Sequence, residues 1–133
     1  MTDKLHFSLV SPEKELFSGE VDSVTVPGSE GDFGVYPNHM PVMTTIRPGA
    51  ISVMDGEAER RIYIMGGFAD VTPEGLIILA EEAIELADLD VKQLAQDITD
   101  VNEDLRDADT EEKQEAASER LVYLQRLQSA LNP

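Results

Sequence analysis

Hydrophobic and polar positions along this chain repeat with two different periods, and the period changes near residue 88. Leu5, Phe7 and Leu9 alternate with His6 and Ser8. A period of two puts every second side chain on one face of a half-buried strand. Ser11-Pro12-Glu13-Lys14 then reads as a turn. Glu20–Val26, rich in β-branched residues, reads as a strand that stops at Pro27-Gly28. Val42–Ile46 is a further β-branched run, closed by Pro48-Gly49. Ile51–Met54 leads into Asp55-Gly56, a hairpin dipeptide favoured because both turn residues need positive φ. Arg60–Met65 is the return strand, broken by Gly66-Gly67. Phe68–Val71 and Leu76–Ala80 flank Pro73-Glu74-Gly75, another hairpin signal. Seven or more short strands in about 85 residues predict an antiparallel β sandwich or flattened barrel.

Beyond residue 88 the spacing becomes helical. Val91, Leu94, Ala95, Ile98, Val101, Leu105 and Ala108 recur every three or four residues, a single apolar stripe. Asp90 can cap the start, with Gln93 three residues on. Ala117, Leu121, Leu124, Leu127 and Leu131 form a second stripe, and Asp109 with Glu112 resembles the capping box that opens it. The short link at residues 107–110 turns the chain back, predicting an antiparallel helical hairpin. The expected organisation is a β-sandwich domain over residues 1–87 and a helical hairpin over residues 88–133.

Composition sharpens that division. All nine glycines lie within residues 1–75, and after Pro73 no proline occurs until Pro133. The formal net charge is −17, a field that repels phosphate backbones and argues against nucleic acid or anionic lipid as a partner. With no cysteine, disulfides, thiolate nucleophiles and cysteine metal sites are excluded. The start, MTDKLHFSLVSP, lacks the apolar run of a signal peptide. The longest apolar stretch, Leu76–Ala80, falls far short of the roughly 20 residues that span a bilayer. A soluble, cytoplasmic protein is the expectation.

Candidate chemistry concentrates in residues 26–41, VPGSEGDFGVYPNHMP. Gly28, Gly31 and Gly34 recur every three residues, but no helix pattern follows for a phosphate to cap, and neither GxxxxGK[ST] nor GxGxxG occurs. Tight turns account better for these glycines. Glu30, Asp32 and His39 form a conceivable zinc or manganese set for a small metal-dependent hydrolase, but a third carboxylate or second histidine nearby is missing. No catalytic residue, metal or cofactor is expected. Pro37 and Pro41 bracket a stiff, preformed segment that suits recognition.

These residues carry a resemblance. Phe17-Ser18-Gly19, then VPGSEGDFGVYPNHMP, then Ile46-Arg47-Pro48-Gly49 and the later GGFADVTPEGLIILAEEA resemble the ε subunit of bacterial F-type ATP synthase. The resemblance covers about residues 3–87 and continues more loosely into the hairpin. It implies a non-catalytic rotor part whose β sandwich binds the γ subunit and rests on the c-subunit ring, with the α/β catalytic head as a partner of the hairpin. It implies a peripheral place on the cytoplasmic face of the inner membrane, held there only through the complex. Glu30, Asp32 and His39 match the family signature and become candidate c-ring contacts.

In some relatives the hairpin inhibits ATP hydrolysis, or holds ATP through an [IL]-D-x-x-R-A motif. Here Leu89 and Asp90 match that motif as the nucleotide-binding candidates, but Gln93 replaces the arginine and Leu94 the alanine. Glutamine supplies no planar, permanently charged fork for phosphate. Inhibition in relatives rests on basic side chains, whereas residues 88–133 carry 12 acids against five bases. The expectation is a structural coupler with weak intrinsic inhibition. An ATP-sensing regulatory subunit acting through the hairpin is the alternative.

Overall fold

The computed structural model describes residues 4–38 and 40–131. The chain divides into two compact units, Met1–Ala87 and Asp88–Pro133.

The first unit is built from ten strands: β1 Leu5–Val10, β2 Glu15–Val21, β3 Ser23–Gly28, β4 Gly31–Val35, β5 Val42–Ile46, β6 Gly49–Asp55, β7 Ala58–Ile64, β8 Gly67–Thr72, β9 Gly75–Ala80 and β10 Ala83–Glu85. They form one curled sheet in the order β10-β7-β6-β3-β5-β8-β9-β1-β2, with β4 paired to β3. One pairing departs from the antiparallel expectation: β1 lies parallel to β9.

The curl begins at β3. One of its edges pairs with β4 throughout, and the other meets β6 at Ser23–Thr25 and β5 at Gly28. The sheet thus forks along a single strand. The far end folds back, since the Arg60 guanidinium of β7 stands 4.8 Å over the Phe17 ring of β2 and also bonds Glu85 of β10.

Period-two alternation fills the interior. Register aligns Val71, Leu76 and Phe7 in one row and Ala69, Ile78 and Leu9 in the next. Phe7, Leu76 and Ile78 are fully buried. Each such side chain stabilises by roughly 1.5–3 kcal/mol relative to exposure.

Within the β unit, the expected limits of the strands are also corrected. Glu20–Val26 is not one strand: the chain breaks at Asp22, between β2 and β3. Asp22 accepts hydrogen bonds from Lys4 Nζ and from the Gly56 N–H, which pins the corner. Pro27-Gly28 does not end its strand either. Pro27 stands at the changeover from β6, last paired at Thr25, to β5, paired at Gly28: its carbonyl already accepts from Arg47 N, and its missing N–H falls in the gap between the two partners. Beyond it, Gly31–Val35, read from the sequence only as part of a turn-rich segment, forms β4.

The second unit is the helical hairpin, α1 Val91–Asp107 and α2 Glu111–Leu131, packed against each other. Asp90 caps α1, its carboxylate accepting from the Lys92 and Gln93 N–H groups. Thr110, not Asp109, opens α2: its hydroxyl accepts from Lys113 N at 3.1 Å. Asp109 instead pairs with the Lys113 ammonium at 3.1 Å. No helix among the described residues is long and apolar enough to cross a membrane.

Candidate functional site

The acidic, glycine-rich segment forms the β3–β4 hairpin. Gly28 pairs with Gly31, which leaves Ser29 and Glu30 as a two-residue turn. The glycines have separate reasons. Gly31 has φ +135°, a backbone that side-chain-bearing residues rarely adopt. A Cβ on Gly28 would lie 2.9 Å from both the Gly31 carbonyl oxygen and the Phe33 ring.

The turn is held from the β5 side. Ser29 N donates to Thr45 O, and Arg47 N donates to Pro27 O, each at 3.0 Å. The Arg47 guanidinium then reaches across β3. Its Nη1 donates to Gly28 O at 2.7 Å, and its Nη2 to Asp32 Oδ1. Glu30 stands exposed at the tip. Of the three residues singled out here from the sequence, Glu30 and Asp32 therefore share one edge, and His39 lies outside the described residues. Among the described residues no group of three His, Asp or Glu gathers as metal ligands.

Beside the tip runs a groove of about 370 Å³ lined by Glu30, Asp32, Phe33, Val42 and Met43. Met43 is 67 % exposed. A second apolar feature lies on the outer face of β8, β9 and β1. Ile77 and Leu79 are 44 % and 50 % exposed. Leu79 lines a groove of about 480 Å³ with Val10, Pro12 and Phe68. Sequence reasoning missed this face. Its signal was present: Leu76–Ala80 is apolar at every position, although a strand with one wet face alternates.

On the hairpin unit, the Asp90 carboxylate is committed to the first turn of α1, and Gln93 Nε2 donates to Asp97 at 2.8 Å. A carboxylate at a helix N-terminus occupies the place where a phosphate would sit.

The likeness to known proteins decides the family. Residues 4–86 match the family model described as "ATP synthase, Delta/Epsilon chain, beta-sandwich domain". The ATP synthase epsilon chain of Maricaulis maris is 55% identical over 129 residues, 97% of each chain. The chain belongs to the ATP synthase epsilon family. The epsilon chain of Caulobacter vibrioides is 66% identical over 84 residues, which make up 98% of that relative but 63% of this chain. That epsilon chain has no room for both units. A chain of the Euglena gracilis mitochondrial ATP synthase shares the fold with TM-score 0.80 at 22% identity, covering 99% of this chain and 84% of its own. As an epsilon chain this protein is a non-catalytic subunit.

Proposed function

We propose that this epsilon chain is the foot of the central stalk, coupling c-ring rotation to ATP synthesis in the catalytic head. The observation that carries this is the near-complete match to epsilon chains along the whole length. Two differently built surfaces suit two partners. The stiff acidic tip, Glu30 with Asp32, suits the polar loops of c subunits. The apolar outer face around Phe68, Ile77 and Leu79 suits the γ subunit, because an exposed patch of this kind marks a protein interface. His39 is proposed as a third c-ring contact from the sequence resemblance alone.

The β unit carries the coupling, and the hairpin adds little inhibition. A relative about as long as the β unit alone supports this. So does the acidic excess of residues 88–133.

Reconstituting the enzyme with altered chains tests both parts. Glu30→Lys with Asp32→Lys should lower ATP-driven proton pumping several-fold while hydrolysis by the detached head is unchanged. Unchanged pumping would reject the docking edge. Removing residues 88–133 should leave hydrolysis within about twofold, less than one charged contact contributes. A several-fold rise would show a strong inhibitor.

A further inference from the structure

Arg47 lies outside the acidic segment, yet its side chain bonds both strands of that segment. It follows β5 and precedes β6, on the sheet's own frame. We propose that Arg47 is the positioning residue of the docking edge: by binding Gly28 O and Asp32 Oδ1 together, it fixes Glu30 and the second oxygen of Asp32 as a preset pair of acceptors for a donor-bearing loop of the partner. The proposal rests on the docking reading above.

Three features support it. The guanidinium is a planar fork with several donors, so one side chain reaches a backbone carbonyl on β3 and a carboxylate on β4. Arg47 bonds Asp32 through Oδ1, and the Asp32 side chain is 61 % exposed, which leaves the carboxylate accessible to a partner. The Arg47 backbone is itself tied to β3 through Pro27 O, which anchors the fork at its root. Arg47 also offsets one of the two negative charges near the tip, which lowers the repulsion between Glu30 on the turn and Asp32 at the start of β4.

An exposed ion pair contributes little to stability, so the role of Arg47 is expected in docking rather than in folding. The test titrates the chain into an enzyme lacking it, on membranes containing the c ring. The concentration giving half-maximal recovery of proton pumping is read beside the thermal unfolding of the chain.

Arg47→Ala is expected to raise that concentration about fivefold to tenfold, the net effect of one ordinary hydrogen bond in an exposed setting, with little change in Tm. Arg47→Lys should restore most of it, since an ammonium can bridge two acceptors, as Lys4 bridges Asp22 and Asp55 here. Should Arg47→Ala unfold, Arg47→Gln keeps a donor for Gly28 O and removes only the ion pair. A folded Arg47→Gln chain with wild-type recovery would overturn the proposal. If the Glu30→Lys, Asp32→Lys chain also recovers normally, the docking reading falls with it. If that chain alone fails, only the assignment of Arg47 is wrong.

Discussion

Gly28→Ala isolates the geometry that forms the tip. Gly28 is buried, and its φ lies outside the left-handed region, so alanine meets no backbone penalty there. The cost is steric. The new methyl would stand 2.9 Å from the Gly31 carbonyl oxygen and 2.9 and 3.0 Å from two Phe33 ring carbons, closer than real Cβ atoms approach. The Phe33 ring can swing, being only half-buried, but the Gly31 carbonyl belongs to the paired strand. Overpacking of this kind costs about 1–3 kcal/mol. At about 4–8 °C per kcal/mol for a 60–100-residue domain, a cost near 2 kcal/mol lowers Tm by roughly 10 °C.

Differential scanning calorimetry of the full chain reads this in its β transition. Adding Phe33→Leu separates the two contacts: it should recover part of the loss and leave the backbone part. Gly31→Ala is the control. Nothing lies within 4 Å of its built Cβ, so its cost is backbone strain alone, about 1–3 kcal/mol, and Phe33→Leu should not relieve it. A Gly28→Ala chain melting within roughly 2 °C of the parent, the range of an ordinary surface change, would refute the steric reading.

Two further predictions concern the corners of the fold. Lys4 is pushed up to about 12 by its hydrogen bonds to Asp22 and Asp55, and Asp22 is held below its usual 3.8 by Lys4 and by the Gly56 N–H. The raised lysine contributes stability present below 10.5 and lost as pH rises through about 12. The lowered carboxyl contributes stability present above 3.8 and lost as pH falls through its folded value. The Tm gap between the parent chain and Lys4→Met should therefore be widest between those limits and close at both ends; a gap independent of pH would refute the pairing. Asp90→Ala should destabilise the hairpin unit by about 1 kcal/mol, the typical value of an N-cap, seen as earlier loss of helical circular dichroism, while ATP leaves the melting of both chains unmoved. Stabilisation by ATP that depends on Asp90 would revive the nucleotide-sensing alternative.

Local pattern made most of this architecture legible. The alternation around Phe7 and the stripe from Val91 to Ala108 needed no long-range information, because each element buries one face. What escaped notice depends on distant partners. Asp22 breaks a β-branched run because Lys4 and Gly56 reach it from elsewhere in the chain. Pro27 is tolerated inside a strand because β3 changes neighbours there. Thr110 takes the cap from Asp109 by one residue, a choice between two competent side chains that spacing cannot make. At the site, Glu30 and Asp32 were legible as an acidic pair, but their holder was not. Arg47 stands 15 residues from Asp32, and only the pairing of β3 with β4 and β5 brings the two together.

The proposed docking edge has two separate demands to meet. The edge must be rigid, since a tip that reorients on contact spends docking free energy on its own ordering. It must also stay exposed, where ion pairs and polar contacts contribute little to stability. Rigidity here comes from the backbone: a two-residue turn, Gly31 at a φ that excludes most residues, and the Ser29 and Arg47 amides tied to neighbouring strands. The guanidinium then only has to aim. Substitutions in the frame should therefore lower Tm and docking together, as at Gly28, whereas substitutions at Arg47, Glu30 or Asp32 should weaken docking with little change in Tm. A common loss of both at all of these positions would mean that the edge is merely part of the fold, and that the partner is held elsewhere.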